Sequence, residues 1–260
     1  MNNKKTALIT GASSGIGKEL AGIHSAKGGD IILVARRGDK LEDIKSDLQK
    51  SYGTDITIIS KDLSVVGAAQ ELYDEVQARG LKVDYLMNNA GFGLLGKFYE
   101  LPLQRQVEMI NLNMTALTEL THLFLPEMLK QNSGKILNTS STASLMPGPL
   151  QAVYYATKSY VTFFSNALAQ ELHDTDITVT NLMPGATESE FGAASGMDKT
   201  PLFKKPVSAK SVAQDGYDAM MRGDLDVISG LTFGQKIMLA MIPFTPKNIL
   251  LKSVRKMQEV

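Results

Sequence analysis

Residues 10–17, Thr-Gly-Ala-Ser-Ser-Gly-Ile-Gly, connect the apolar run at 7–9 to a helical pattern that extends over 18–27. Gly11 permits a tight turn, Gly15 lets the backbone approach a bound group, and Gly17 lets helix and strand pack closely. The N-terminus of the following helix would offer unpaired N–H groups to a pyrophosphate. Glycine-rich turns are also common as ordinary connections between elements. This turn predicts a nucleotide site because it follows a strand and opens a helix.

Short apolar runs alternate with longer helical patterns over the rest of the chain. Strands are predicted at residues 7–9, 31–34, 56–59, 85–87, 135–138, 177–182 and 227–228. Helices are predicted at 18–27, 40–50, 68–79, 103–129 (with a bend at Pro126), 154–173 and 209–221. Apolar runs without polar alternation are typical of strands buried on both faces. We therefore predict an α/β fold with a Rossmann-type, doubly wound parallel sheet of about seven strands and helices on both faces.

No repeat, low-complexity tract or linker divides the chain, so residues 1–260 are predicted to form a single domain. Two segments depart from the core pattern. Residues 188–210 predict a lid loop or a disordered segment. Residues 231–260 form a C-terminal extension, apolar and methionine-rich at first and then basic. The extension could act as a cover over a pocket, a subunit contact, a membrane-surface anchor or a helix packed on its own domain. We favour a cover that also contacts a neighbouring subunit.

Composition excludes several kinds of function. The chain has 27 basic and 27 acidic residues, so no overall charge attracts nucleic acid or an acidic membrane. It has no cysteine, which excludes disulfides and thiol catalysis, and its three histidines are far apart in sequence. Residues 1–6 lack a secretory signal, and the apolar run at 237–242 is too short to span a membrane. We expect a soluble, cytoplasmic protein with no metal, nucleic-acid partner or transmembrane segment.

Four further motifs follow the glycine turn in a fixed order. They are Asn88-Asn89-Ala90-Gly91, Asn138-Thr139-Ser140-Ser141, Tyr154-Tyr155-Ala156-Thr157-Lys158 and Pro184-Gly185. Over residues 6 to about 190, this series resembles the short-chain dehydrogenase/reductase family. The resemblance implies a nicotinamide dinucleotide held by Gly11, Ser13, Ser14, Gly15, Ile16, Gly17, Arg36, Arg37, Asp62, Leu63, Asn89, Ala90, Gly91, Tyr154, Lys158, Pro184, Gly185, Thr187 and Ser189.

The Tyr-x-x-x-Lys motif fits the chemistry of hydride transfer to a carbonyl, which builds negative charge on oxygen. Tyr154 could donate the proton, and Lys158, one helical turn away, would favour the phenolate. Ser141 could donate a hydrogen bond to the substrate oxygen. By the resemblance, Lys158 also holds the nicotinamide ribose, and Asn113 anchors a proton-relay water to the lysine. Tyr155 is the alternative tyrosine, but its spacing from Lys158 and Ser141 fits less well, so the predicted catalytic residues are Asn113, Ser141, Tyr154 and Lys158.

The residues after the second predicted strand distinguish between the two dinucleotides. A carboxylate there would bind the adenosine ribose hydroxyls and repel a 2′-phosphate, but the sequence has Ala35-Arg36-Arg37. Two guanidinium groups favour a phosphate, so NADP(H) is the predicted cofactor. Asp62 is expected near the adenine amino group or, alternatively, as a cap for the segment that begins at Ser64.

The predicted activity is NADPH-dependent reduction of a ketone or aldehyde on a mostly hydrophobic small molecule, reversible as alcohol dehydrogenation. The expected pocket residues are Phe92, Leu94, Leu145, Met146, Leu150, Met183 and Phe191. The alternatives are a 3-oxoacyl-carrier-protein-type reductase, which should show a basic docking surface, and a non-catalytic NADP-binding regulator. Ser144 and Ser189 depart from the family's usual glycine and threonine, although the Ser189 hydroxyl could still contact a phosphate. A homodimer or homotetramer is expected.

Overall fold

The computed structural model describes residues 4–259 and is built around one seven-stranded parallel sheet. Residues 1–3 of the polar N-terminus and residue 260 of the C-terminal extension lie outside the described residues. The strands are β1 (Thr6–Thr10), β2 (Asp30–Ala35), β3 (Ile56–Ser60), β4 (Tyr85–Asn88), β5 (Gly134–Thr139), β6 (Ile177–Pro184), β7 (Thr187–Glu188), β8 (Val207–Ser208) and β9 (Asp226–Ser229). The main sheet has the order β3-β2-β1-β4-β5-β6-β9, and β7 pairs with β8 in a small separate sheet.

Helices cover both faces of the main sheet. They are α1 (Gly15–Ala26), α2 (Gly38–Tyr52), α3 (Ala68–Ala78), α4 (Leu103–Ile110), α5 (Leu117–Gln131), α6 (Ala152–Glu171), α7 (Glu190–Ser195), α8 (Ala209–Arg222), α9 (Phe233–Ala240) and α10 (Lys247–Gln258). No helix within residues 4–259 is both long enough and apolar enough to cross a membrane. The predicted Rossmann-type sheet with helices on both faces is confirmed.

The apolar strand runs are explained by two cores, one on each face of the sheet. Ala7 and Ile9 of β1 join one buried cluster with Leu20 of α1, whereas Leu8 joins the other with Leu72 of α3. Because successive side chains of a strand point to opposite faces, a strand between two cores must be apolar at every position. This geometry is why the absence of alternation predicted a doubly covered sheet.

Two regions differ from the sequence prediction, whereas a third, the C-terminal extension, is divided at its prolines as the sequence predicts. Residues 188–210, predicted as a lid loop or a disordered segment, contain α7, two 3₁₀ turns and the short strand β8. The predicted helix 103–129 continues through Pro126, and its irregularity is a π-helical turn at Asn111–Ala116 between α4 and α5. The extension after residue 231 forms α9, a 3₁₀ turn at Ile242–Phe244 and α10, because Pro243 and Pro246 interrupt helical hydrogen bonding.

The strand order reverses between β1 and β4. The chain proceeds from β1 to β2 and β3 in one direction, and from β4 to β5 and β6 in the other. The crossover connections therefore part above the carboxyl ends of β1 and β4, which opens a crevice at this edge. The glycine turn after β1 and the Asn-Asn-Ala-Gly segment at the end of β4 meet in that crevice.

Candidate active site

The glycine turn after β1 is held in a shape that side chains would not permit. Gly11 and Gly15 have φ values of 68° and 53°, in the left-handed region that glycine adopts without strain. A Cβ added to Gly17 would lie 2.4 Å from the Gly11 carbonyl oxygen, and one added to Gly15 would lie 2.9 Å from Ser189 Cβ. The turn therefore packs against α1 on one side and against the segment after β6 on the other.

Hydrogen bonds fix the glycine turn to the end of β4. The Thr10 hydroxyl accepts hydrogen bonds from the backbone N–H groups of Asn89 and Ala90, both at 3.0 Å. In return, Asn89 Nδ2 donates to the Thr10 carbonyl at 3.1 Å. Two motifs 79 positions apart in sequence thus form one rigid floor.

The two arginines after β2 extend from this floor. Arg37 donates to the Ser13 hydroxyl at 3.0 Å and to the Glu190 carboxylate at 2.6 Å, and Lys40 donates to the same carboxylate at 3.0 Å. These hydrogen bonds lower the pKa of Glu190 to about 2. Arg36 lies 3.8 Å from Asp62. The basic group predicted from sequence is present, but a carboxylate from α7 already occupies part of it.

Asp62 has the capping role that the sequence left as an alternative. Its Oδ1 accepts hydrogen bonds from the backbone N–H and the hydroxyl of Ser64, at 3.0 and 2.7 Å. Asp62 also lines the crevice, where one oxygen remains near Arg36. All of the predicted nucleotide-binding residues line this crevice except Gly17, whose position is inside the turn.

Ser141, Tyr154 and Lys158 converge at the middle of the crevice. The Ser141 hydroxyl donates to the Pro184 carbonyl at 3.5 Å and lines the cavity with Tyr154, and Lys158 Nζ lies 5.9 Å from the centre of the Tyr154 ring. The ammonium also donates to the Thr139 carbonyl at 2.8 Å, which fixes its position at the end of β5.

Burial determines the protonation of this group more than the lysine charge does. Burial raises the pKa of Tyr154 above its ordinary value, although the neighbouring Ser141 hydroxyl opposes the rise. Burial also lowers the pKa of Lys158 to about 8. The expected role of Lys158, to favour the phenolate once the proton has been donated, stays a prediction. Tyr154 is a protonated phenol at neutral pH, and Lys158 retains its proton below about pH 8.

Asn113 lies beside this group but does not line the crevice. It belongs to the π-helical turn between α4 and α5, and its amide donates to the Phe92 carbonyl and the Thr157 hydroxyl, both at 3.0 Å. Its Oδ1 accepts from the Phe92 backbone N–H at 3.1 Å. A Cβ added to Gly91 would lie 3.1 Å from Asn113 Oδ1 and 3.3 Å from Lys158 Nζ. Asn113 thus holds the chain after β4 next to the lysine.

The crevice is a cavity of about 1000 Å³ with two chemically different ends. We call one the glycine-turn end, which is lined by residues of 11–16, 34–37 and 89–91. We call the other the apolar end, which is lined by Phe92, Met146, Phe191, Met238 and Met257. Three of the predicted pocket residues, Phe92, Met146 and Phe191, lie here. Leu94, Leu145, Leu150 and Met183 do not line the cavity: Leu94 packs behind its wall and Met183 is buried in β6.

The C-terminal helix α10 supplies a wall of the apolar end. Val254 is fully buried against Tyr154 and Tyr155, and Met257 reaches the cavity. Gln258 Nε2 donates to the Tyr155 hydroxyl, and Gln258 accepts a hydrogen bond from Gln151. The Tyr155 hydroxyl is therefore bonded to α10, whereas the Tyr154 ring packs against Phe191 of the cavity.

Several residues of the cavity were not found by sequence reasoning. Glu190 lines the cavity and is bonded to Lys40 outside it, and Lys205 and Lys236 also line the cavity. None of them belongs to a motif, because each acquires its position from contacts between segments far apart in sequence. Within residues 4–259, no three histidine or acidic side chains converge to form a metal site.

Comparison with known proteins agrees with this arrangement. The family model "short chain dehydrogenase" matches residues 5–200. The very-long-chain 3-oxoacyl-CoA reductase of Anas platyrhynchos is 34% identical over 208 residues, which cover 77% of this chain and 64% of the relative. The chain thus spans somewhat less than two thirds of the length of that relative.

Two solved structures show the similarity in three dimensions. A short-chain dehydrogenase from Sphingobium yanoikuyae in complex with NADPH is 27% identical, with a TM-score of 0.83 and 98% of each chain covered. A short-chain dehydrogenase/reductase from Burkholderia phymatum in complex with NAD is 23% identical, with a TM-score of 0.82, and covers 99% of this chain and 97% of its own. At the latter identity, the likeness concerns the fold alone.

Proposed function

The chain belongs to the short-chain dehydrogenase family, and we propose that it reduces a ketone or aldehyde on a hydrophobic molecule, with NADPH as hydride donor. The observation that carries the proposal is the grouping of Ser141 and protonated Tyr154 beside the Lys158 ammonium, within the cavity that the glycine turn borders. A phenol, a hydroxyl and an ammonium at one point suit the stabilisation of a developing alkoxide.

The glycine-turn end fits a dinucleotide. The glycines let the turn pack closely on the end of β4 and on Ser189, so that its backbone borders the cavity, and the cavity has the volume that a ligand of this size requires. When bound, NADPH would supply the hydride. Ser13, Ser14 and the N-terminus of α1 would hold the pyrophosphate, and Arg37, with Arg36, would hold the 2′-phosphate. The absence of an acid at the end of β2 supports NADP(H) over NAD(H).

The protein's own residues account for the proton transfer. Tyr154 donates its phenolic proton to the carbonyl oxygen, since its raised pKa keeps it protonated at neutral pH. Ser141 donates a hydrogen bond to the same oxygen and fixes its position. The positive charge of Lys158 stabilises the phenolate that remains, and Asn113 acts through the backbone of Phe92 to hold the neighbouring chain.

The apolar end supports a hydrophobic substrate, with the segment 188–210 as its lid and α10 as its fixed wall. Exposed apolar residues on the packed helices α4 and α6, namely Leu103, Val107, Ile110 and Phe163, support a homodimer or homotetramer. We propose a cytoplasmic location for this assembly.

A second candidate activity is reduction of a 3-oxoacyl thioester. Lys205 and Lys236 line the cavity, and Lys199 and Lys204 belong to the same segment as Lys205. Cations beside the cavity support this candidate, because a carrier-protein or coenzyme A substrate requires a basic docking surface. The relative from Anas platyrhynchos bears the name of a 3-oxoacyl-CoA reductase. A non-catalytic regulator is less favoured because Ser141, Tyr154 and Lys158 are brought together.

A panel of carbonyl compounds, followed by the loss of NADPH absorbance, tests the proposal. The panel should contain bulky apolar ketones, apolar aldehydes and medium- to long-chain 3-oxoacyl-CoA thioesters. We expect turnover with NADPH to exceed turnover with NADH, and the Arg36→Ala/Arg37→Ala variant to lose that preference. Turnover of thioesters that Lys205→Gln/Lys236→Gln impairs would favour the second candidate. No turnover of any carbonyl with either dinucleotide would refute the proposed activity.

A further inference from the structure

The helix α9, the 3₁₀ turn after it and the first turn of α10 carry an apolar surface that no other part of the described chain covers. Phe233 is 80% exposed and Phe244 76%, and Ile237, Met238, Met241 and Ile249 are each at least half exposed. Of the residues of α9, only Leu239 is buried. We call these six exposed residues the C-terminal apolar face. So dense a cluster of large apolar side chains in water is unfavourable and is typical of a contact surface.

The charge around this face has one sign. Residues 232–258 contain Lys236, Lys247, Lys252, Arg255 and Lys256 and no aspartate or glutamate, although the whole chain has no net charge. Arg255 pairs with Glu259, whereas the four lysines form no ion pair with any carboxylate in residues 4–259. On α10, Lys252 and Lys256 lie on the exposed side with Ile249, opposite the buried Val254.

The face is continuous with the mouth of the cavity. Met238 belongs both to the exposed apolar face and to the cavity lining, and Lys236 and Leu239 of the same helix also line the cavity. A surface bound to this face would therefore be in contact with the entrance to the apolar end.

We propose that the C-terminal apolar face docks on an anionic phospholipid surface, with its apolar side chains among the acyl chains and its lysines among the headgroups. Apolar residues ringed by lysines are the chemistry of an interfacial amphipathic segment. A second copy of the chain fits less well, because a two-fold contact would bring together two faces whose residues 232–258 carry only positive charge. Docking at this face would let an apolar substrate enter the cavity directly from the lipid. That substrate entry rests on the proposed function, whereas the docking itself does not.

Flotation of the full-length protein with phospholipid vesicles tests the docking without any measurement of activity. We expect binding to vesicles of phosphatidylcholine mixed with phosphatidylglycerol, weak binding to phosphatidylcholine alone, and a loss of binding as salt rises. Because burial of one phenylalanine changes partitioning by about tenfold or more, the Phe233→Glu/Phe244→Glu variant should lose at least that factor. Lys247→Gln/Lys252→Gln should reduce the dependence on the anionic lipid.

A matched control has the same change of charge elsewhere. Tyr52→Glu/Val66→Glu alters two exposed apolar residues beside β3, at the opposite edge of the sheet from β9, and should leave binding unchanged. Circular dichroism and sizing confirm that each variant folds. Failure to float with anionic vesicles overturns the proposal, as does equal loss in the control. If Phe233→Glu/Phe244→Glu instead dissociates an oligomer in the absence of lipid, the face is a subunit contact and the proposal is wrong.

Discussion

The glycine-turn end and the apolar end of the cavity are shaped by different parts of the chain. At the glycine-turn end, backbone atoms form the surface, and a Cβ added at Gly11, Gly15 or Gly17 would lie within 3 Å of a neighbouring atom. At the apolar end, the surface consists of phenylalanine and methionine side chains from segments as far apart as β4 and α10. The first end tolerates almost no change of shape, whereas the second can be reshaped by exchanging side chains, since methionine adapts to irregular surfaces.

The proposed chemistry lies between the two ends. Tyr154 contacts Phe191 of the apolar end, and Lys158 lies beside Gly91 of the glycine-turn end. This arrangement suggests that one rigid end can hold a common hydride donor while the other is adapted to a particular substrate. Changes at the two ends should therefore have separable effects.

The largest expected effect lies between the two ends. Tyr154→Phe removes the proposed proton donor, so kcat should fall by ~10²–10⁴-fold while the Kd for NADPH stays nearly constant. Tyr155→Phe is the matched control, because that hydroxyl is bonded to Gln258, and most of the turnover should remain. Steady-state kinetics and cofactor titration measure both quantities. Loss of turnover in Tyr155→Phe with retention in Tyr154→Phe would reverse the assignment.

The pH dependence of reduction should follow Lys158. Its pKa of about 8 means that the side chain is a cation below that pH and neutral above it. The value of kcat/KM should therefore fall as pH rises through about 8, whereas Tyr154, with its raised pKa, stays protonated. A profile measured with saturating NADPH that stays flat across this pH would contradict the role of the cation.

A pair of glycine substitutions compares the rigid turn with the exposed C-terminal helix. Gly17→Ala places a Cβ 2.4 Å from the Gly11 carbonyl oxygen, so the free energy of unfolding should fall by about 1–3 kcal/mol. Gly234→Ala in α9 meets no atom within 4 Å and should raise it by up to about 1 kcal/mol. Denaturant unfolding of both variants makes the comparison. Equal changes would mean that the turn is not constrained by its packing.

The anchor of α10 should affect the apolar end alone. Gln258→Leu leaves the Tyr155 hydroxyl and the Gln151 amide buried without this partner, which costs about 1–3 kcal/mol of stability. We expect the KM for the carbonyl substrate to change and the Kd for NADPH to remain constant. Gln70→Leu, on the exposed side of α3, is the control. A change in the NADPH Kd alone would show that the two ends are not separable.

The smallest effect is expected at Glu190. Its carboxylate pairs with Arg37 and Lys40 and would compete with a bound 2′-phosphate for these cations. Exposed ion pairs contribute ~0.2–1 kcal/mol, so Glu190→Gln should tighten NADPH binding by about fivefold at most. The Kd for NADH should not change, and neither Kd should change in Glu188→Gln. Calorimetric titration separates these outcomes. Weaker NADPH binding in Glu190→Gln would mean that the carboxylate positions Arg37 rather than competing for it.

The sequence by itself determined the sheet, its two cores, the glycine turn and the set of motifs. Each of these depends on neighbours within about ten residues, since apolar runs record burial on both faces and glycines record a backbone shape. The tertiary structure decided the rest. Glu190 meets Arg37 across 153 positions, and Gln258 meets Tyr155 across 103. Neither contact leaves a local pattern. The protonation of Tyr154 and Lys158 was likewise decided by tertiary packing, because burial is a property of the folded chain and here it outweighs the lysine charge that the spacing had suggested.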